Sequence, residues 1–320
     1  MIKKKLYSFI VLAFIACTPL TDAPSVYLQG RLLILGDSIT HIGTYVSFMD
    51  YILAKDFPNQ DFDIVAIGLS GETASGLTEP GSEYPRPCVL YRIDSALSKL
   101  KPNAVAVCYG MNDGIYTTQS DSNFQAYKNG MTTVIKKIYS EGAHVILLTP
   151  PPFDPRAAAY KVTCSDSIGY SYAHPWCGYD SVLADYADWI MSLQQPGLLT
   201  VDFHSVLSKY IAEKRSTDSN YIISPDGVHP DSVGHLLMAR AFLHAIGIPT
   251  DSTDADVAAG EIMNTELYTL AAERREILSD SWRNVVGHNH HRQWPGLPLA
   301  VAERKADSLR SAIHKLLKRQ

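Results

Sequence analysis

The 320-residue chain holds only five cysteines, and no two of them stand in a Cys-x-x-Cys arrangement. A zinc site of thiolate type is therefore disfavoured. The chain also lacks any cluster of Lys and Arg interleaved with aromatic residues, and its formal net charge is -5. The charge is unremarkable, and the missing basic patch speaks against nucleic acid as a partner. No internal repeat is visible. Residues 6–16 form an apolar run, but it is too short to cross a bilayer comfortably. What is present is ordinary. With 46% hydrophobic and 19% charged residues there is ample apolar material for a core. The length suits one large domain with an appendage.

The N-terminus reads as an address. Three lysines precede the apolar run, and Phe14-Ile15-Ala16-Cys17 closes it. A small residue followed by Cys at that point resembles a bacterial lipoprotein signal, with Cys17 becoming the lipidated terminus and residues 1–17 removed from the fold. Simple signal-peptidase cleavage is the alternative, although Phe14 stands where such lipoprotein signals usually have leucine. In both cases the mature protein is expected outside the cytoplasm, and in the first it touches a membrane through its anchor. Export makes disulfides possible. Cys164 and Cys177 bracket an insert rich in Tyr, Ser and Gly, so a disulfide closing that loop is the simplest reading. Cys108 lies in an apolar run. Burial as a free thiol and pairing with Cys88 both stay open for it.

Apolar runs at 32–35, 64–67, 104–108, 145–148 and 198–201 read as five strands. Helix-like spacing of apolar residues occupies 45–55, 91–100, 124–140 and 181–193 between them. Such alternation implies an α/β domain with a parallel sheet covered on both faces and right-handed crossovers. Pro150-Pro151-Pro152 stops the fourth strand and opens a long loop, 153–179. A loop of that length in a compact domain is usually functional or stapled. A polar linker at 249–256 precedes an expected long helix at 257–282 and another at 299–317. The division is thus a main domain at 30–248 and a helical extension at 249–320.

Chemistry concentrates at the ends of the strands. Gly36-Asp37-Ser38-Ile39-Thr40 follows the first apolar run directly. A serine at the carboxyl end of a buried strand lies where open α/β sheets place their ligands. Serine is a weak nucleophile and needs a base. His229, in Asp226-Gly227-Val228-His229-Pro230, is the strongest candidate. Asp226, three residues earlier, can fix its tautomer and leave the other ring nitrogen for Ser38. Ser70-Gly71-Glu72-Thr73 and Gly110-Met111-Asn112-Asp113 follow the second and third strands. The N–H groups of Ser38 and Gly71 and the Asn112 amide would make a three-donor oxyanion hole.

Taken in order, these four blocks closely resemble those of the SGNH (GDSL-type) hydrolases over residues 30–247. The resemblance implies a three-layer α/β/α, flavodoxin-like sandwich with a mostly parallel five-stranded sheet. It also implies hydrolysis of acyl or acetyl esters on lipids or sugars without metal or organic cofactor. By motif position Ser38 is the nucleophile, Gly71 and Asn112 are oxyanion donors, and Asp226 and His229 form the acid–base pair. Two features depart from the pattern: Ala66 stands where an Asn is common, which would loosen the second loop, and the tail beyond about residue 250 lies outside the core family.

Each residue also has a plainer reading. Ser38 could be a helix N-cap. Asp37 and Asp113 suit loop hydrogen bonding, and His235 suits packing. His204 could line a cleft but better fits a structural role. His288, His290 and His291 lack a carboxylate or Cys partner pattern, so a solvated loop is expected there in place of a metal site. Trp176, Tyr172 and Tyr170 could form an aromatic sugar platform or simply pack their loop. The expectation is an exported serine esterase acting on an acyl, preferably acetyl, group of a glycan or similar polar carrier. A lysophospholipase-type acylhydrolase and a non-catalytic carbohydrate-binding protein are the alternatives.

Overall fold

The computed structural model describes residues 25–165 and 169–319. The expected signal and the Cys17 anchor lie outside the described residues. Five strands form one wholly parallel sheet: β1 (Arg31–Gly36), β2 (Asp63–Ala66), β3 (Ala104–Cys108), β4 (His144–Leu148) and β5 (Leu198–Val201), in the order β2-β1-β3-β4-β5. Leu32 faces Ala104 across β1 and β3, and Val145 faces Leu198 across β4 and β5. Every residue of β3, and all but the first of β1 and β4, is buried. That is why these strands read as unbroken apolar runs instead of alternating ones.

The helices that do the covering are α1 (Ser38–Ile42), α2 (Thr44–Asp56), α3 (Ile93–Leu100), α4 (Asp121–Ser140), α5 (Tyr179–Ser192), α6 (Phe203–Arg215) and α7 (Ser232–Ala245). α2 packs on α7, and α3 packs on α4, which in turn lies on β4. α6 was not foreseen, and of α7 only the start near His235 was. Both begin at an aspartate cap: Asp202 accepts from the Ser205 N–H at 2.9 Å, and Asp231 from Val233 and Gly234 at 2.9 and 3.1 Å. This sheet order reverses direction between β1 and β3. The crevice beyond their carboxyl ends is the switch point where such sheets bind ligands.

Residues 255–317 form α8 (Ala255–Met263), α9 (Glu266–Val286) and α10 (Leu299–Leu317). The single helix expected over 257–282 is therefore two. The break is made by Thr265, whose hydroxyl accepts the Tyr268 N–H at 3.1 Å and caps a new helix. α9 packs on α2, α10 and β2, and Leu267, Tyr268, Leu278 and Trp282 join the main core. Among the described residues no helix is long and apolar enough to cross a membrane.

Candidate active site

β1 ends at Gly36, and Asp37 caps α1 by accepting the Ile39 N–H at 3.0 Å. The cap role thus falls to Asp37, which leaves the Ser38 hydroxyl free. Asp37 is 2% exposed, and burial pushes its carboxyl up to about 7. Ser38 Oγ lies 2.7 Å from His229 Nε2, and His229 Nδ1 lies 2.7 Å from Asp226 Oδ2. The other Asp226 oxygen accepts the backbone N–H groups of Val228 and His229 at 2.9 and 2.8 Å. The Asp-Gly-Val-His turn is therefore wrapped around its own carboxylate. Partial burial would raise that carboxyl, but the hydrogen bonds from the His229 ring and from the two backbone N–H groups outweigh it and hold it well below the usual range. An ionised carboxylate only accepts, so Nδ1 carries the ring proton and Nε2 turns its lone pair to Ser38.

The second loop is pressed against the turn that carries Ser38. A Cβ at Gly68 would lie 2.2 Å from the His41 nitrogen, so only glycine fits there. Gly71 takes a left-handed φ of 72°, which costs glycine little. The loosening expected from Ala66 is countered by other groups. Buried Arg92 grips Glu72 through two hydrogen bonds of 2.6 and 2.5 Å, and the Tyr109 hydroxyl donates to the same carboxylate at 2.6 Å. Asp113 accepts from the Ala74 and Ser75 N–H groups at 2.8 and 2.7 Å. Arg283 of α9, 1% exposed, donates to the Gly68 carbonyl at 2.8 Å.

Asn112 is 4% exposed and its amide has a defined orientation. Its Oδ1 accepts from Arg86 at 2.9 Å and from the Tyr116 hydroxyl at 3.1 Å, while its Nδ2 donates to the Glu72 carbonyl at 3.3 Å. Arg86 also donates to the Gly71 carbonyl at 3.2 Å and is held by Glu79. Sequence reading missed Arg86. It sits in the loop before α3 with no motif around it, and nothing local separates it from a solvated arginine.

Cys164 and Cys177 are joined in a disulfide, while Cys88 and Cys108 are free and Cys108 is buried. From the stapled loop Tyr172 reaches the site: its hydroxyl donates to Asp226 Oδ2 at 3.4 Å and its ring meets Tyr116 at 5.5 Å. Trp176 is half-buried against the core and lies over Gly178. His204 is bonded to Asp180 at 3.2 Å. His235 stacks on Tyr45, 5° from parallel, in the core. The loop of His288, His290 and His291 is largely exposed, as expected, and its rings touch neighbours: half-buried His288 and His290 lie against Trp294, and exposed His291 stacks on Tyr84. Among the described residues no three His, Cys, Asp or Glu side chains converge in a way that could hold a metal ion.

Residues 34–237 match the family model of the GDSL-like lipases/acylhydrolases. The chain belongs to the GDSL-like lipase/acylhydrolase family. The match takes in Ser38, Gly71, Asn112, Asp226 and His229 and stops short of α8–α10. The fold of this GDSL-like hydrolase is also that of an acetylxylan esterase from Geobacillus stearothermophilus. One catalytic mutant of that enzyme superposes with a TM-score of 0.50 at 19% identity, over 71% of this chain and 96% of the other. A second gives 0.51 at 20% identity, over 72% and 99%. A gut microbial diltiazem-metabolizing enzyme is 22% identical with a TM-score of 0.48. It is matched over 68% of this chain, which spans about half (47%) of its length. No curated protein matches the sequence.

Proposed function

We propose that this GDSL-like hydrolase is a serine esterase that removes acetyl groups from a carbohydrate. The observation that carries the reading is the unbroken hydrogen-bonded chain from Ser38 through His229 to Asp226. His229 Nε2 takes the Oγ proton as Ser38 attacks the ester carbonyl. The tetrahedral oxyanion is met by the N–H groups of Ser38 and Gly71 and by Asn112 Nδ2. Ser38 opens a helix, where a first-turn N–H has no intrahelical partner. Asp226 stabilises the imidazolium that forms. His229 then protonates the leaving alcohol, activates water, and the acyl-enzyme is hydrolysed. No step calls on a metal or an organic cofactor.

A short acyl group on a polar carrier suits the surroundings. Arg86, Tyr116, Tyr172 and Lys161 border the site, with the Lys161 ammonium 4.1 Å above the Tyr172 ring. The acetylxylan esterases of like fold make acetylated glycans the first substrates to try. We further place the mature protein outside the cytoplasm, anchored through Cys17. The test is acetate release from acetylated xylo-oligosaccharides against fatty-acid release from lysolipids, with Ser38→Ala as control. Acetate release by wild type and a fall of at least about a thousand-fold in the variant is the expected result. Equal rates for the two proteins would sink the esterase reading, and release of fatty acid alone would sink the carrier.

A further inference from the structure

Five rings run without a break from the nucleophile's helix to the surface. His41 lies three residues past Ser38 on α1, and its ring centroid is 4.9 Å from that of Trp294. Trp294 is 4.6 Å from His290, His290 is 4.4 Å from His291, and His291 is 4.5 Å from Tyr84. At the inner end His41 Nδ1 sits 3.4 Å from Ser70 Oγ, next to Gly71. At the outer end Tyr84 and His291 lie within 14° of parallel, and both are exposed. Three distant parts of the chain meet here: α1, the loop before α3, and the connection from α9 to α10. The Cys88 N–H donates to Asn289 Oδ1 at 3.3 Å and joins the last two.

The row is not part of the core. Trp176, Trp189 and Trp282 pack on the central apolar cluster, whereas Trp294 and Tyr84 do not. It is also uncharged along its inner half. Burial, with the nearby Arg283 and Arg275 charges, pushes His41 down to about 3. Burial and the neighbouring His291 and His288 push His290 down to about 4. His291 is itself stacked between His290 and Tyr84, and His290 Nδ1 accepts the Arg292 N–H at 2.8 Å. The row therefore offers a ligand the outer Tyr84 ring, the Trp294 ring and the remaining imidazole edges. A pyranose presents the matching surfaces, apolar C–H faces and equatorial hydroxyls. Rings with an apolar body and a polar tip suit that combination.

We propose that this row of rings is the binding track for the sugar chain that carries the ester. The acetylated sugar lies at the His41 end beside Ser38, and further sugars run outward along the ring edges to the Tyr84 ring, which His291 braces from behind. This rests on the acetyl-glycan reading and extends it: the carrier is an oligosaccharide and not a single sugar, and residues 288–294 of the C-terminal segment select it. The test compares Tyr84→Ala, His291→Ala and Trp294→Ala with wild type on an acetylated xylo-oligosaccharide, an acetylated monosaccharide and a short aryl acetate. For the two outer variants the ratio of oligosaccharide to aryl acetate kcat/KM is expected to fall about five- to tenfold through KM, with the monosaccharide ratio unmoved. Trp294→Ala is expected to lower both sugar ratios, and Tyr84→Phe to restore the wild-type value. Unchanged ratios in a wild type that does release acetate from the oligosaccharide would overturn the track and leave the esterase reading standing. A wild type that cleaves only the aryl acetate would overturn the carrier itself, and the track with it.

Discussion

Asn112 is aimed by residues outside its own motif. Two donors, Arg86 and Tyr116, occupy its carbonyl oxygen, so its NH2 must face the other way, toward the Glu72 carbonyl and the place where an oxyanion would form. Arg86 also holds the Gly71 carbonyl, so one guanidinium couples the two proposed oxyanion elements. Arg86→Met is expected to lower kcat on an aryl acetate by about tenfold or more with KM nearly unchanged, because a mis-aimed donor acts mainly on the transition state. Arg86→Lys should recover only part, since a lysine cannot reproduce the guanidinium fork. Steady-state kinetics of the three proteins decide this, and a rise in KM at constant kcat would contradict it. The motif residues themselves were readable one by one. Asp226 and His229 are three apart and close their own turn, and Ser38 follows an apolar run. Arg86 was not readable, because its partners Glu79, Gly71 and Asn112 come from separate loops.

Among the elements, the stapled loop and the tail behave differently. The loop was legible because two cysteines bracket a segment too long and polar to order itself cheaply. Its disulfide joins residues 13 apart, for which the chain-entropy account gives about 3 kcal/mol. Cys164→Ser with Cys177→Ser is expected to lower stability by about that amount in denaturant titrations. It should also raise KM for the acetylated carrier, because Tyr172 beside Asp226 would lose its tether. A loss of stability with unchanged KM would show that the loop does not shape the site. The tail's helices were legible from apolar spacing, but its break at Thr265 was overrun by that same periodicity. Nor could spacing indicate that Arg283 would reach Gly68, or that Trp294 would meet His41. Those contacts depend on how α9 lies across α2 and β2.

For the molecule as a whole, burial of titratable groups shapes stability against pH. His235 is 2% exposed with neither ring nitrogen partnered, and burial, aided by nearby positive charge, pushes it down to about 3. Between that value and the ordinary 6.5 the unfolded chain binds a proton that the native one refuses. Its contribution is therefore complete above the ordinary value and is lost as pH falls. Asp37, pushed up to about 7 by burial, works in the opposite sense: its native form keeps a proton that the unfolded chain gives up as pH rises from 3.8. The difference between wild type and His235→Phe isolates the histidine. The variant should gain about 3 kcal/mol relative to wild type between pH 7.5 and pH 4.5, read from urea unfolding at the two values, and a constant difference would refute it. The sequence by itself determined the strands, because residues buried on both faces must be apolar without interruption. It also singled out Ser38 and the Asp226–His229 pair as candidates, because each sits in a short motif and the Asp226 turn closes on its own carboxylate. Only the tertiary structure decided that Arg86 holds Asn112 Oδ1, that Arg92 and Arg283 hold Glu72 and Gly68, and that Trp294 of the tail meets His41. Those are contacts between segments far apart in the chain, made by side chains whose types suit a solvated surface equally well.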